Sequence, residues 1–398
     1  MLKTIRTTNY KSLGSEPISL NKLNVLIGAN ASGKSGFVDA LKFIHDIVNS
    51  RLSYAVGKRL GWENVRKRGV GEKTKIGIEI DCELGMEDIR RIPRKADSTL
   101  VRAKYAFEAS YRTKKYFLDT ESFESQFIKK GATLTEEFKR INRKVEIKPL
   151  KNSRGKHTHF TVPRTAEDAP FIQAGFYLET SYLLYSNISG WRFYELDVSN
   201  IRRPFFDEGQ SYLRDDGRNL AAILEKLRTR PMKGIRLRIL NLMSLLIPGF
   251  EDWRTEQQFD GSLGFKIHEK GINKGFPPKV ISDGTIRLLA ILVALLYKPS
   301  ATKLICIDEP ERYLHPQIME TLVEIMRDIS NETQLIVTTH STELVKWLKP
   351  SEVLLVGKID NTTNIVRVND VELIDKFLEK FTLDELWRSG YLKGGNIM

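Results

Sequence analysis

At 398 residues, 41% of them hydrophobic and 28% charged, the chain has an ordinary globular composition and length for two or three domains. No run approaches the roughly 18 apolar residues of a membrane span. The polar, basic start has no apolar signal core, and Cys82 and Cys306 stand far apart in no CxxC pair, so a reducing cytoplasm is expected, with no membrane. The net charge of +13 is localised: residues 51–160 hold 27 Lys and Arg against 15 Asp and Glu, and the remainder holds 36 against 35. Clusters such as Arg66-Lys67-Arg68 and Lys114-Lys115 imply a site for DNA, another polyanion or an acidic partner, or else a solvated lysine-rich face.

Along the chain, the apolar run Leu23 to Ile27 predicts a buried strand, followed by a glycine-rich turn. Phe37, Val38, Leu41, Ile44 and Val48 then recur at helical spacing, so the turn joins a strand to an amphipathic helix. From Lys75 to about Val162, alternating segments such as KIGIEID and VRAKYAFEAS predict antiparallel strands that carry the basic charge. His157 and His159 fall there and read as exposed strand residues, not metal ligands. Residues 170 to 249 read as mostly helical, clearest at Leu220 to Leu227 and Ile235 to Ile247, and close on Pro248-Gly249. A short β segment precedes a helix over Ile281 to Tyr297, whose apolar run is interrupted by Arg287. A strand at Leu304 to Ile307, a helix after Pro316 and a strand at Leu335 to Thr338 complete a strand-helix-strand order that implies a parallel sheet.

Four motifs carry chemistry. Gly28-Ala29-Asn30-Ala31-Ser32-Gly33-Lys34-Ser35 fits GxxxxGK[ST] between a strand and a helix, the place for a phosphate-cradling loop. Its glycines let the backbone wrap phosphates, with Gly28, Asn30, Ser32, Gly33, Lys34, Ser35 and Gly36 as ATP-binding residues. Lys34 is placed to reach the β- and γ-phosphates, and the Ser35 hydroxyl to ligate Mg²⁺. Leu304 to Pro310 is an apolar strand ending in Asp308 and Glu309, either solvated carboxylates, the start of a helix or, beside a P-loop, a metal ligand and a general base. Leu335 to Ser341 ends a buried strand at His340, a structural histidine or a group that orients the attacking water against the γ-phosphate. Ile281 to Thr285 reads alone as a helix N-cap at Ser282.

The order GANASGKS, ISDGT, LICIDEPE, VTTHS resembles the ABC ATPase set of Walker A, signature, Walker B and switch histidine. More narrowly it resembles the RecF/SMC/OLD-like branch. Asn9-Tyr10-Lys11-Ser12 stands for the usual NFRS, Glu309 to Pro316 follow EPExxLHP, and the ending TLDELWRSGYLKGG is similar to small bacterial ATPases of this branch. The resemblance covers roughly the first 75 and last 120 residues. It implies an α/β P-loop head whose halves lie at opposite ends of the chain, with a basic antiparallel β region and a helical insertion between them. The expected division is 1–75 with Walker A, 76–165 basic β region, 166–250 helical insertion, 251–356 with signature, Walker B and switch histidine, and 357–398 tail.

The same resemblance implies that Lys11 contacts phosphate, and that Ser282 and Gly284 meet the γ-phosphate of a second subunit in a homodimer or higher assembly. Gln173 is the nearest candidate for a Q-loop glutamine. ATP and Mg²⁺ are the implied cofactors, and Lys34, Glu309 and His340 the catalytic groups, with Ser35 and Asp308 on the metal. ISDGT departs from the transporter sequence LSGGQ. No long coiled coil is predicted, and the 58 residues after His340 are too few for the TOPRIM nuclease domain of OLD enzymes. The expected role is the switch of an anti-phage defence system acting with a separately encoded effector, a nuclease; the alternative is a RecF-like DNA-binding repair ATPase.

Overall fold

The computed structural model describes the chain except residues 85–100, 130–131, 149–157, 174–177, 207–208, 300–301, 371–373, 394–395 and 398. It divides into two compact units. One comprises Met1–Trp191, Pro350–Phe381 and Ser389–Met398; the other comprises Arg192–Lys349 and Thr382–Arg388.

The first unit opens with β1 (Leu2–Thr8), β2 (Ile18–Ser19) and β3 (Leu23–Ile27), then α1 (Lys34–Asn49) and α2 (Leu52–Gly57). All five residues of β3 are buried, so both faces of the strand are covered. Helix α1 buries Phe37, Leu41, Ile44 and Val48, four of the five positions whose spacing predicts it, and leaves Val38 half-buried. The basic stretch forms β4 (Ile76–Leu84), β5 (Val101–Arg112), β6 (Lys115–Lys129), β7 (Ala132–Ile141), β8 (Lys144–Lys148) and β9 (Thr158–Thr161). With the first two strands they make one antiparallel sheet ordered β2-β1-β4-β5-β6-β7-β8-β9.

Inside that sheet Glu121 accepts from Tyr105 Oη at 3.0 Å and from the Phe171 and Ile172 amides at 2.7 and 3.0 Å. Burial pushes its carboxyl above the usual range. Arg140, also buried, donates to the carbonyls of Asn142, Ala169 and Glu167, so the pair fastens the following loop to the sheet. His159 is exposed on β9, and His157 lies outside the described residues. Cys82 is fully buried and its thiol is pushed up to about 12, an inert core residue.

After α3 (Glu179–Ser189) the chain enters the second unit through β10 (Arg192–Tyr194), α4 (Val198–Ile201), α5 (Leu220–Lys226), α6 (Lys233–Leu246), β11 (Phe250–Gln257), β12 (Leu263–Glu269) and α7 (Asp283–Leu296). It continues through β13 (Leu304–Asp308), α8 (Met319–Ser330), β14 (Gln334–Thr339) and α9 (Thr342–Val345). Here β10, β13 and β14 run parallel, and β11 pairs with β12 as a hairpin. Among its described residues the largely helical stretch therefore contains one strand, three residues long, recruited by its pairing with β13. From Ile286 to Leu296 every residue of α7 is buried, Arg287 included.

The chain then returns to the first unit with β15 (Val353–Ile359) and β16 (Thr362–Arg367), where β15 lies parallel to β3 and antiparallel to β16. A short helix α10 (Ile374–Leu378) follows. Helix α11 (Leu383–Arg388) belongs to the second unit, where Arg388 donates to Thr342 Oγ1 at 3.0 Å and Glu343 Oε1 at 2.7 Å on α9. Among the described residues no helix is long and apolar enough to cross a membrane.

Candidate nucleotide site

Walker A lies in the first unit, between β3 and α1. Gly28 leaves the strand where a β-carbon would sit 2.2 Å from the Val356 carbonyl oxygen, so only glycine fits. Ala31 (φ 59°) and Gly33 (φ 117°) are left-handed, and a β-carbon on Gly33 would strike Thr363 Oγ1 at 2.2 Å. The curl delivers the chain into α1 with no side-chain cap and no acid in its first turn, an electropositive helix end suited to an anion. Lys34 is buried, and its Nζ donates to the Gly28 and Ala29 carbonyls at 2.8 and 3.1 Å. Ser32 Oγ is buried without a hydrogen-bond partner, while Ser35, Asn30 and Ala31 are exposed. Gly36 has open space about it. An orphaned hydroxyl inside a glycine cradle and an exposed serine on the first turn fit a polyphosphate with a hard cation.

The loop is buttressed by a residue that sequence reasoning missed. Thr363 on β16 donates from Oγ1 to the Ser32 carbonyl at 3.0 Å and shares a 2.8 Å hydrogen bond with Ser12 Oγ. Its amide donates to the Ser12 carbonyl, and its own carbonyl accepts from Gly14. Nothing local marks a threonine some 330 positions from the P-loop.

Two of the expected residues have protein partners in this structure. Lys11 is ion-paired with Asp39 of α1 at 2.5 Å. Asp39 also accepts from Tyr10 Oη at 2.7 Å and Arg59 Nε at 2.9 Å. Burial favours its neutral form, but the Arg59 guanidinium and Lys11 ammonium outweigh that and hold the carboxyl below its ordinary value. Gln173 donates to the carbonyls of Val48 and Ser50 at 2.9 and 2.8 Å. Those carbonyls close α1 at its C-terminal end, roughly 20 Å from Lys34 at 1.5 Å per residue. Gln173 is a helix-end cap, not a Q-loop residue.

The other three motifs lie in the second unit. Asp308 ends β13 half-buried and accepts from Thr338 Oγ1 on β14 through one oxygen; its other oxygen has no partner among the described residues. Glu309 follows in a left-handed turn, φ 43°, a conformation costing a non-glycine residue about 1–3 kcal/mol. Its amide donates to the Thr338 carbonyl at 3.0 Å. The Glu309 carboxylate and His340 Nε2 are 3.8 Å apart, both about one-third exposed. Glu311 accepts from Thr339 Oγ1 at 2.6 Å and the His340 amide at 3.3 Å, so it holds the loop bearing the histidine. Burial raises the Glu311 carboxyl above its usual value.

Ser282 caps α7, accepting from the Thr285 amide at 3.2 Å, and is itself exposed. A β-carbon on Gly284 would lie 2.6 Å from the Tyr313 carbonyl oxygen, so close packing on the Walker B loop suffices to require glycine there. The buried Arg287 donates from Nη2 to the carbonyls of Glu309 and Asp308 at 2.7 and 3.2 Å, and from Nη1 to Leu196 at 2.5 Å. Its one sequence signal is a cation inside an apolar helical run.

Comparison with known proteins accords with this geometry. The fold is similar to the SmcHead bound to the C-winged helix domain of ScpA: 16% identity, TM-score 0.53, covering 92% of this chain and 97% of that one. It is also similar to the Smc head domain with an extended coiled coil bound to the C-terminal domain of ScpA, derived from Pyrococcus furiosus. There the values are 13% identity, TM-score 0.50, and 95% and 98% coverage. The mixed α/β fold is thus similar to that of an SMC head domain. No curated protein sequence matches the chain. The family described as "AAA domain, putative AbiEii toxin, Type IV TA system" matches residues 23–346, most of the length, and the chain belongs to that family.

Proposed function

We propose that the protein binds ATP with Mg²⁺ and hydrolyses it in an assembly of at least two copies. The observation that carries this is the Gly28–Ser35 loop, which has no room for side chains at its glycines, holds Lys34 buried and opens on an uncapped helix end. Lys34 and the first-turn amides of α1 take the phosphate charge; the Ser35 hydroxyl of the first unit and the Asp308 carboxylate of the second are each an oxygen donor of the kind Mg²⁺ prefers. Bound Mg²⁺ supplies charge neutralisation at the β- and γ-phosphates. Glu309 accepts the proton of the water that attacks in line, and His340 orients that water.

Ser282, exposed at the head of α7, acts across the interface between copies. Ser282→Arg is expected to leave ATP binding by a single subunit intact and to abolish turnover. Mixing it with Lys34→Ala restores one composite site per dimer, hence partial activity; phosphate release that stays at background in the mixture contradicts closure of this kind.

The family description reads "putative AbiEii toxin, Type IV TA system". The role as switch of a defence system with a separately encoded effector rests on the motif resemblance alone, and copurification with the product of the adjacent reading frame tests it. A second reading, DNA binding, is favoured by Lys114 and Lys115, exposed on the β5–β6 hairpin beside Tyr111, Tyr116 and Trp62. The other basic cluster is partly spent within its own unit: Arg66 bonds Val70 and Glu63, and Lys67 donates to Thr362 Oγ1 at 2.9 Å. Reversing Lys114 and Lys115 to Glu is therefore the clean test. Duplex DNA affinity should fall, with a shallower salt dependence by about two charges and unchanged basal turnover. Equal binding by wild type and variant at two salt concentrations reduces the charge to a solvated face.

A further inference from the structure

The geometry points to Arg287 as a positioning residue for Glu309, joining the helix that carries the signature to the loop that carries the base. Four observations within the second unit support it. Arg287 is only 3% exposed, yet makes no ion pair among the described residues. A buried cation without a carboxylate is costly, so its placement requires a compensating set of acceptors. Those acceptors are three backbone carbonyls, two of them belonging to Asp308 and Glu309 themselves. Glu309 has a left-handed backbone that its residue type does not favour, and its main chain is held from both sides, by Thr338 through its amide and by Arg287 through its carbonyl. Finally, Gly284, one turn before Arg287 on the same helix, packs against the Tyr313 carbonyl of the same loop.

Signature helix and base-bearing loop therefore touch at two points, one steric and one polar. A planar guanidinium can serve several carbonyls at once where a lysine ammonium, a single point charge, cannot hold the same set. Displacement of Ser282, five residues before Arg287, is thereby felt as displacement of the Glu309 main chain. Arg287 touches neither nucleotide nor water in this account; it acts through Glu309.

This inference rests on Glu309 as the base, and the test separates the two. Arg287→Lys is made in the wild-type and Glu309→Gln backgrounds, and ATP affinity, single-turnover hydrolysis and amide hydrogen exchange over residues 309–314 are measured. ATP affinity should stay within about twofold while hydrolysis falls about a hundredfold, the scale of a misplacement near 1 Å. In the Glu309→Gln background the same substitution should cost nothing further, because groups that act through one another are non-additive. Exchange over 309–314 should rise.

A merely structural role predicts a parallel drop in ATP affinity and melting temperature and an equal fold-loss in both backgrounds; that result overturns the inference. Unchanged exchange with unchanged hydrolysis overturns it too. If wild-type hydrolysis does not depend on Glu309, the catalytic reading fails by itself. Raised exchange in Arg287→Lys then still upholds the hold on the loop, and unchanged exchange removes that as well.

Discussion

Glu309→Gln should bind ATP as tightly as wild type and hydrolyse it about 10²–10⁴-fold more slowly, the usual worth of a positioned general base. The substitution is isosteric, so the left-handed turn held by Thr338 and Arg287 persists. What disappears is the basic oxygen that takes the proton from water, since an amide cannot accept it. With binding preserved and hydrolysis blocked, the variant should accumulate in the ATP-closed assembly, read as an ATP-dependent increase in mass by light scattering. A hydrolysis rate equal to wild type would falsify the assignment of Glu309 as base.

Lys34→Ala acts at the other end of the chemistry and on a different quantity. The ammonium is buried in the P-loop, on the carbonyls of Gly28 and Ala29. Losing a charge-assisted contact costs about 1.5–3 kcal/mol, so ATP affinity should fall roughly ten- to a hundredfold in a direct titration. The Thr363 buttress and the glycine conformations remain, so the melting temperature without nucleotide should change little. Unchanged ATP affinity sinks the P-loop assignment whatever happens to turnover.

The parts of this molecule that could be read from its sequence are those written in local patterns. Five apolar-rich residues followed by a glycine octet and a helical period mark β3, the cradle and α1. Strand runs ending in Asp308-Glu309 and in Thr339-His340 mark β13 and β14. Each needs only neighbours within a turn or two. What was not legible depends on pairs far apart in the chain. The ion pair of Lys11 with Asp39 joins residues 28 positions apart, and no local pattern announces it.

Thr363 meets Ser12 and Ser32 only because β15 and β16 return to the first unit after some 160 residues spent in the second. Arg287 interrupts an apolar run, and its role is not legible there because its acceptors are backbone atoms with no residue signature. Gly284 carries two readings, closeness to a partner's phosphate or to Tyr313, and only the second can be seen within one chain. The three-residue strand β10 is too short to show a period and exists through its pairing with β13.

The central claim is that this chain turns over ATP through these residues, and phosphate release is its most direct test. Purified wild-type protein should release phosphate from ATP in the presence of Mg²⁺. Release should fall to the level of Lys34→Ala when the metal is chelated. Release by wild type that never exceeds the Lys34→Ala blank, or that is indifferent to both metal and Lys34, contradicts the account.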